Sequence, residues 1–339
     1  MKRILFISRT LDERFGGMQT QARSLLVALQ NRSDIVTDCV GYHGRRCGLP
    51  LFFLRALMTA VFTGADVVHV GDAVLSPILP LIAIVRPRLR RTATVHGLDI
   101  SWRRPPYQYV ICRCLRFAHR IAAVSEATKD ACITLGVSAD RIVVIPCGIP
   151  IPHDIRRHAL KRPILLTLGR LVPRKGVAWF LEDVFPLLLS RHPELRYIIA
   201  GNGPELSPIR RVVAARGLQR SVDVLGPVPD RHKETLLLEA SLLLMPNIPV
   251  FGDMEGFGIT AIEAAARGLP VVAADLEGLR DSVIDGVTGL RFQPLDLQSA
   301  AIAVESALSR SWDTQSMQRA IRDCFAADVI ASRYVHELF

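Results

Sequence analysis

Residues 242–275 are the most informative stretch of this chain, because two apolar runs alternate there with glycines and prolines. Leu242–Met245 is a short apolar run typical of a buried strand. A loop follows, and a helix with one apolar face begins after Gly258. Gly268 and Pro270 end that helix, and the next apolar run predicts a second parallel strand. This order of strand, loop, helix and strand is typical of a parallel α/β sheet.

Two carboxylates flank the start of this helix. Glu255 lies just before it, and Glu263 lies about two turns inside it. Gly256 and Gly258 leave backbone N–H groups accessible at the helix N-terminus, where the helix dipole adds partial positive charge. Such an end can hold a phosphate, and the carboxylates can accept hydrogen bonds from hydroxyls beside it. A nucleotide sugar is the predicted ligand, although two glutamates can also serve only to stabilise a helix N-terminus, by about 0.3–1 kcal/mol.

The alternation of strands and helices continues through the whole chain and predicts a doubly wound α/β fold. A length of 339 residues suits two domains. We predict an N-terminal Rossmann-like domain over residues 1–155 and a second Rossmann-like domain over residues 160–322. The proline-rich, basic stretch 149–162 is the candidate linker, and residues 323–339 are predicted to be helical.

The positive charge is concentrated in the first half of the chain. Residues 1–160 contain 22 Lys or Arg but only 11 Asp or Glu, whereas the whole chain has a net charge of +10. Such a field attracts an anionic membrane surface, a lipid pyrophosphate or a nucleic acid. No nucleic-acid recognition module accompanies the arginines, so contact with an anionic membrane is the favoured prediction. The main cluster is Arg86, Arg88, Arg90, Arg91, Arg103 and Arg104, followed by Arg113, Arg116 and Arg120.

The sequence favours a cytoplasmic protein that is peripheral to the membrane. No charge-free apolar run reaches the roughly 20 residues that a membrane helix needs. The N-terminus is predicted to be a first strand and not a signal peptide. Seven scattered cysteines with no C-x-x-C spacing argue against a disulfide framework or a zinc site and suit a reducing compartment.

The stretch from Glu255 to Glu263, followed by Ala-Arg-Gly-Leu-Pro-Val-Val-Ala, resembles the E-x7-E signature of retaining glycosyltransferases, in particular those of the family 4 type. This resemblance implies the GT-B fold, in which two Rossmann-like domains face each other across a cleft. It places the sugar donor mainly on the second domain and the acceptor on the basic first domain. It also implies that the last helix crosses back onto the first domain.

The resemblance assigns roles around the donor. Arg170 and Lys175 resemble the basic pair that such enzymes direct at the diphosphate, although they could also be two solvated surface cations. The family usually has an acidic residue between them, where this chain has Arg174. Glu263 is expected to bind the ribose hydroxyls, and the loop at Val228 is expected to seat the nucleotide base through its backbone.

The transferred sugar is expected to contact Glu255 together with the backbone N–H groups of Gly256, Phe257 and Gly258. His96, at the carboxyl end of a predicted strand, is expected to contact the same sugar, unless it is a structural histidine.

A glycine loop near the first strand completes the predicted donor site. Gly16 and Gly17 are expected to form a flexible loop over the donor phosphate, although they could also make an ordinary tight turn. Gln19 stands where the family often has an acidic residue.

The predicted function is a retaining, metal-independent transfer of a sugar from a nucleoside diphosphate to a glycan, lipid-linked or small-molecule acceptor, as in cell-envelope glycan biosynthesis. No D-x-D motif occurs, so the usual ligand of a metal on the diphosphate is missing and no cofactor is expected. Retention is implied by the resemblance alone. A phosphorylase or epimerase on the same fold, and a non-catalytic nucleotide-sugar sensor or partner subunit, are the alternatives.

Overall fold

The computed structural model describes residues 1–9, 11, 16–42, 48–101, 105–152, 155, 157 and 162–339. It divides into two compact units. Unit 1 contains Met1–Pro150, Gly252–Phe257 and Phe325–Phe339, and unit 2 contains Ile151–Phe251 and Gly258–Cys324. Arg103 and Arg104, named above, lie outside the described residues, and so does part of the candidate linker 149–162.

Unit 1 is built on a six-stranded parallel sheet in the order β2-β1-β3-β4-β5-β6. Its strands are β1 (Lys2–Ser8), β2 (Ile35–Gly41), β3 (Val67–Val70), β4 (Arg90–Val95), β5 (Arg120–Ala123) and β6 (Ile142–Val144). Its first helices are α1 (Gly17–Gln30), α2 (Leu49–Phe62), α3 (Ile78–Val85), α4 (Leu98–Ser101), α5 (Pro105–Leu115) and α6 (Glu126–Thr134). The strands are short, apolar runs because both faces of a parallel sheet are covered by helices.

Unit 2 contains a second six-stranded parallel sheet, in the order β12-β11-β10-β7-β8-β9. Its strands are β7 (Ile164–Leu168), β8 (Arg196–Ala200), β9 (Val222–Gly226), β10 (Leu242–Met245), β11 (Val271–Ala274) and β12 (Gly289–Phe292). Its helices are α7 (Val177–Trp179), α8 (Phe185–Arg191), α9 (Leu206–Ala215), α10 (Asp230–Glu239), α11 (Ile259–Ala266), α12 (Leu279–Ser282), α13 (Leu297–Ser309) and α14 (Thr314–Phe325). The predicted α/β fold with two Rossmann-like sheets is confirmed.

The helical segment between β7 and β8 contains an irregular turn. A π-helical turn, Phe180–Val184, lies between α7 and α8. Pro186 follows in the first turn of α8 and has no N–H to donate to Glu182. A π-helical turn is a common way for a helix to absorb such a break, and periodicity in the sequence does not reveal it.

The C-terminal segment belongs to unit 1. After α14, α15 (Ala327–Arg333) and a π-helical turn over Tyr334–Leu338 cover the sheet face on which α1 also packs. Tyr334 is fully buried, and its hydroxyl lies 2.8 Å from Thr94 Oγ1. Thr94 Oγ1 is also 3.1 Å from His69 Nε2, so three polar side chains hold the segment on β3 and β4.

Among the described residues, no helix is both long and apolar enough to cross a bilayer.

His69 makes the stability of unit 1 depend on pH. Burial lowers the pKa of His69 to about 3 from an ordinary value near 6.5, and His96 adds to the shift. The unfolded chain therefore binds a proton between these values that the folded chain does not bind, so stability is complete above about pH 6.5 and falls as the pH drops below it. Between pH 7 and pH 5 this loss is about 2 kcal/mol of unfolding free energy.

We predict that urea unfolding of His69→Gln will lack most of this loss between pH 7 and pH 5. Gln can keep a hydrogen bond to a threonine hydroxyl but does not titrate. His232→Gln, at an exposed position of α10, is the matched control and should unfold with the pH dependence of the parent chain. An unchanged pH dependence in His69→Gln would contradict the prediction.

Candidate functional site

His96 immediately follows β4 and is buried at the carboxyl end of the sheet. Its Nε2 lies 3.0 Å from the carbonyl oxygen of Gly71, which follows β3. Because a carbonyl only accepts, Nε2 carries the hydrogen, and Nδ1 is the acceptor in the neutral ring. This contact fixes the ring of the histidine that the sequence predicted to touch the sugar.

Asp99 ties the loops after β3 and β4 together. Its carboxylate accepts the backbone N–H of Ala73 and the backbone N–H of His96, each at 2.9 Å. Burial raises the pKa of Asp99, while these hydrogen bonds and His96 act in the opposite direction. The structure therefore gives Asp99 a positioning role beside His96.

A buried ion pair lies where the sheet of unit 1 changes winding direction. Arg9 follows β1 and Asp72 follows β3, and these strands are neighbours although β2 lies between them in sequence. Arg9 Nε donates to Asp72 Oδ1 at 2.9 Å, and the Asp72 side chain is fully buried. Neither residue was predicted as part of the site, because the strand order that joins them is not readable from sequence. Open α/β sheets bind ligands at such switch points.

The segment Gly252–Phe257 packs within unit 1, directly on the His96 loop. A Cβ at Gly256 would collide with the His96 carbonyl oxygen, so glycine is required by the close backbone approach. Thr128 Oγ1 donates to the Gly256 carbonyl at 3.4 Å. Glu255 is buried within this segment, and Phe257 packs edge-on against Phe325 with ring centroids 5.7 Å apart.

The predicted basic residues of unit 2 lie after β7. Arg170 is exposed, and Lys175 is half-buried at the end of a short 3-10 turn, Pro173–Lys175. The backbone of this loop is held by the next strand, since Gly169 N donates to Ala200 O at 3.1 Å and Leu171 N donates to Asn202 O at 2.9 Å. The loop is therefore rigidly anchored at the carboxyl end of the sheet.

Arg174, which stands where an acidic residue was expected, is buried. Its carbonyl accepts the N–H of Ile248 at 2.9 Å, which joins the loops after β7 and β10. Gly176 adopts φ 63°, and a Cβ there would collide with the carbonyl of Pro246. The two loops therefore approach each other closely through their backbones.

The helix α11 begins after Gly258, which adopts φ 85° and has no room for a side chain beside Leu279. Glu263 is in the middle of α11, and its Oε2 accepts from Lys233 Nζ of α10 at 2.7 Å. Its side chain is only 14% exposed. Lys233 therefore orients the carboxylate that was predicted to bind ribose, a contact that no sequence signal indicated.

A second ion pair supports the first one. Arg267 makes a bidentate contact with the Glu234 carboxylate, at 2.7–3.0 Å, and donates to the Glu263 carbonyl at 2.8 Å. Bidentate pairs between arginine and a carboxylate have a fixed geometry. The two pairs join α10 to α11.

The remaining predicted donor residues lie in separate places. Val228 is half-buried and packs against the core of unit 2. Gly16 and Gly17 are exposed at the start of α1, where Thr20 N donates to Gly16 O at 3.1 Å. Residues 12–15 of this loop lie outside the described residues.

The structure groups the predicted residues by unit. His96, Glu255, Gly256, Phe257, Gly16 and Gly17 belong to unit 1, and Arg170, Lys175, Val228, Gly258 and Glu263 belong to unit 2. The E-x7-E stretch is therefore divided, since Glu255 packs with the first sheet and Glu263 with the second. Within the described residues, no three His, Cys, Asp or Glu side chains cluster as a metal site, and metal independence stays a prediction.

Two family models match the chain. The model for glycosyl transferases group 1 covers residues 151–323, which is about half of the chain. The model for glycosyltransferase family 4 covers residues 20–151. Together the matches extend through both units.

Similar proteins are found among curated sequences and solved structures. An exopolysaccharide phosphotransferase of Streptomyces coelicolor is 34% identical over 226 residues, which are 65% of this chain and 23% of that protein. A GDP-mannose-dependent α-(1-6)-phosphatidylinositol monomannoside mannosyltransferase of Mycolicibacterium smegmatis is 27% identical over 285 residues, 74% of each protein. The Anabaena protein HepE in complex with UDP-glucose has a TM-score of 0.70 at 20% identity, covering 100% of this chain and 99% of HepE. The structural similarity to HepE confirms that the α/β fold is of the GT-B type.

We predict that Gly256→Ala will destabilise unit 1 by about 1–3 kcal/mol, because the new Cβ would meet the His96 carbonyl and force the backbones apart. Urea unfolding measures the change. Gly64→Ala is the control, since a Cβ there would lie 3.7 Å from Arg3 Nη1, the end of a long side chain. Equal stability of the two variants would contradict the predicted close approach.

Proposed function

This chain belongs to the family of glycosyl transferases group 1, and we propose that it moves a sugar from a nucleoside diphosphate sugar to an acceptor hydroxyl with retention of anomeric configuration. One observation carries the proposal. The loop with Arg170 and Lys175 follows β7, and the loop that leads to α11 and Glu263 follows β10, its neighbour in the sheet. The sheet of unit 2 changes winding direction between these two strands, which is where open α/β sheets bind ligands.

The proposed donor site stabilises the leaving diphosphate by protein charge. Arg170 and Lys175 face the phosphates, and the N-terminus of α11 adds the positive end of a helix dipole. Preorganised charge aimed at a developing anion is usually the largest single term in such catalysis. In this proposal no metal ion is needed, because these groups neutralise the leaving phosphate.

Glu263 binds the ribose hydroxyls in the proposed complex. Lys233 orients its carboxylate from α10, so the carboxylate is arranged before the ligand arrives. The nucleotide base contacts the backbone of the loop after β9, near Val228.

His96 and Glu255 contact the transferred sugar. The acceptor oxygen attacks the anomeric carbon on the face from which the diphosphate leaves, so that one carbon–oxygen bond forms as the other breaks. The departing phosphate oxygen takes the proton of the acceptor hydroxyl. The family resemblance supports same-face attack. In this mechanism Glu255 positions the transferred sugar.

The acceptor is proposed to be lipid-linked, in cell-envelope polysaccharide synthesis at the inner face of the membrane. The excess of basic residues in the first 160 positions supports a peripheral contact with anionic lipid. The mannosyltransferase relative is named for a phosphatidylinositol mannoside acceptor, which supports the same class.

A donor screen followed by product analysis tests the function. We expect one of the UDP-, GDP-, ADP- or dTDP-sugars to raise the melting temperature, because a ligand that binds the folded state stabilises it. Incubation of that donor with lipid extracts in EDTA should yield a glycoside whose proton NMR coupling shows the anomeric configuration of the donor. An inverted product, or a strict requirement for a divalent metal, would contradict the mechanism.

Hydrolysis, epimerisation or phosphate exchange without an acceptor would indicate a different enzyme on this fold. Tight donor binding without turnover would indicate a sensor or a partner subunit.

We predict that Arg170→Ala combined with Lys175→Ala will lower kcat by about a hundredfold or more, because the leaving diphosphate loses the charges that stabilise it. Steady-state kinetics with the identified donor provide the measurement. Arg216→Ala combined with Arg220→Ala removes two exposed cations from the same unit and should leave kcat within about twofold. Equal kcat values for the two double variants would remove Arg170 and Lys175 from the mechanism.

A further inference from the structure

We infer that α2 and α3 form a surface that inserts into the headgroup region of an anionic lipid bilayer. The inference rests on the proposed membrane contact but not on sugar transfer. We call this surface the α2–α3 face and define it by the exposed apolar side chains of the two helices, Leu51, Leu54, Met58, Phe62, Leu81, Ile84 and Val85.

The helix α2 is apolar on both of its sides. Phe52, Ala56 and Ala60 are buried at a spacing of four residues and pack in the core of unit 1. The opposite side presents large apolar side chains to solvent, among them Leu51 at 71% and Phe62 at 77% exposure. A surface helix of a water-soluble domain normally carries polar residues on its outer side. The outer side of α2 is therefore suited to an apolar environment.

The helix α3 extends the same exposed surface. It packs against α2, and it buries Ile78 and Ile82 in the same core. Ile84 is 77% exposed, and Val85 and Leu81 are exposed beside it. Isolated exposed apolar residues are ordinary on protein surfaces, but seven of them on two adjoining helices indicate an interaction site.

Arg86 holds the two helices in fixed relation. It follows α3, and its Nη1 donates to the carbonyl of Thr63 at 2.6 Å and to the carbonyl of Ala60 at 3.2 Å, at the end of α2. The guanidinium therefore satisfies carbonyls that the end of a helix leaves without helical partners. The α2–α3 face is a preformed surface, which reduces the entropy cost of binding.

The charged side chains on the helices of the α2–α3 face and on the neighbouring helix α5 are arginines. The sequences of α2, α3 and the neighbouring α5 contain Arg55 and Arg113 but no Asp or Glu. Arg88 is exposed just beyond α3. Arg113 lies over the ring of the exposed Tyr109, with the guanidinium carbon 5.2 Å from the ring centroid. Long arginine side chains can reach the lipid phosphates while the apolar side chains enter the acyl boundary.

This charge pattern favours an anionic bilayer over a second copy of the chain. A two-fold contact would place the same cationic surface on both sides and would bury Arg55 without a carboxylate to pair with it. An anionic bilayer supplies phosphates and an apolar layer together.

Vesicle co-sedimentation of the full chain tests the inference. We expect binding to phosphatidylcholine vesicles with about 30% phosphatidylglycerol, weaker binding to phosphatidylcholine alone, and partial release at high salt. The variant Leu51→Ser, Phe62→Ser, Ile84→Ser should bind the anionic vesicles at least about tenfold more weakly, because three inserted side chains are lost.

The control variant is Val27→Ser, Ile133→Ser, Ile302→Ser, which removes three exposed apolar side chains from α1, α6 and α13. It should bind the anionic vesicles as the parent chain does.

Equal binding by the two triple variants would overturn the inference, and so would equal binding of the parent chain to neutral and anionic vesicles. A concentration-dependent dimer that light scattering detects in the parent chain but not in the first variant would assign the face to a second copy instead. Thermal stabilisation by the nucleotide sugar, measured on the same samples, should be the same in all three proteins, so a failure of membrane binding is distinguished from a failure of the proposed transferase.

Discussion

The parallel pairing of strands is the constraint on which the candidate site depends. Parallel strands have their carboxyl ends at one edge, and the connections of each sheet leave in opposite directions from one pair of neighbouring strands. In unit 1 this pair is β1 and β3, followed by Arg9 and Asp72, and in unit 2 it is β7 and β10. Side chains that are far apart in sequence are brought together only because the chain crosses over in this way.

Close backbone approaches then fix the loops that leave these strands. Gly176 lies against Pro246, Gly201 against Gly169, and in unit 1 Gly256 lies against His96, each without room for a Cβ. Only glycine permits such an approach, and at Gly176 and Gly201 the φ angle is positive as well. Backbone contacts of this kind hold the loops that follow β7 and β10 at the carboxyl edge of the sheet of unit 2.

The sequence predicted the fold well because helix and strand differ in periodicity, and the strand predicted at Leu242–Met245 is observed with the same bounds. Local sequence patterns do not reveal contacts between elements that are far apart in the chain. The pairing of Lys233 with Glu263 joins residues 30 positions apart on two helices, and the backbone bonds of Asp99 depend on the neighbouring positions of β3 and β4. The π-helical turn before Pro186 is a local feature, but several geometries could have absorbed that proline. The site roles taken from the family resemblance stay predictions.

The E-x7-E stretch shows how a sequence signature can combine two structural requirements. Glu255 is fixed by its neighbour Gly256, whose backbone packs on the His96 loop, whereas Glu263 is fixed by Lys233 and by its position in α11. The spacing of eight positions therefore does not place both carboxylates on one helix face. Over these positions the chain leaves unit 1 at Phe257, begins α11 of unit 2 after Gly258 and reaches the second turn of that helix. Within each unit the carboxylate has its own support, so the two glutamates can be altered separately. A change at Gly256 should act through unit 1 alone and leave the Lys233–Glu263 pair intact.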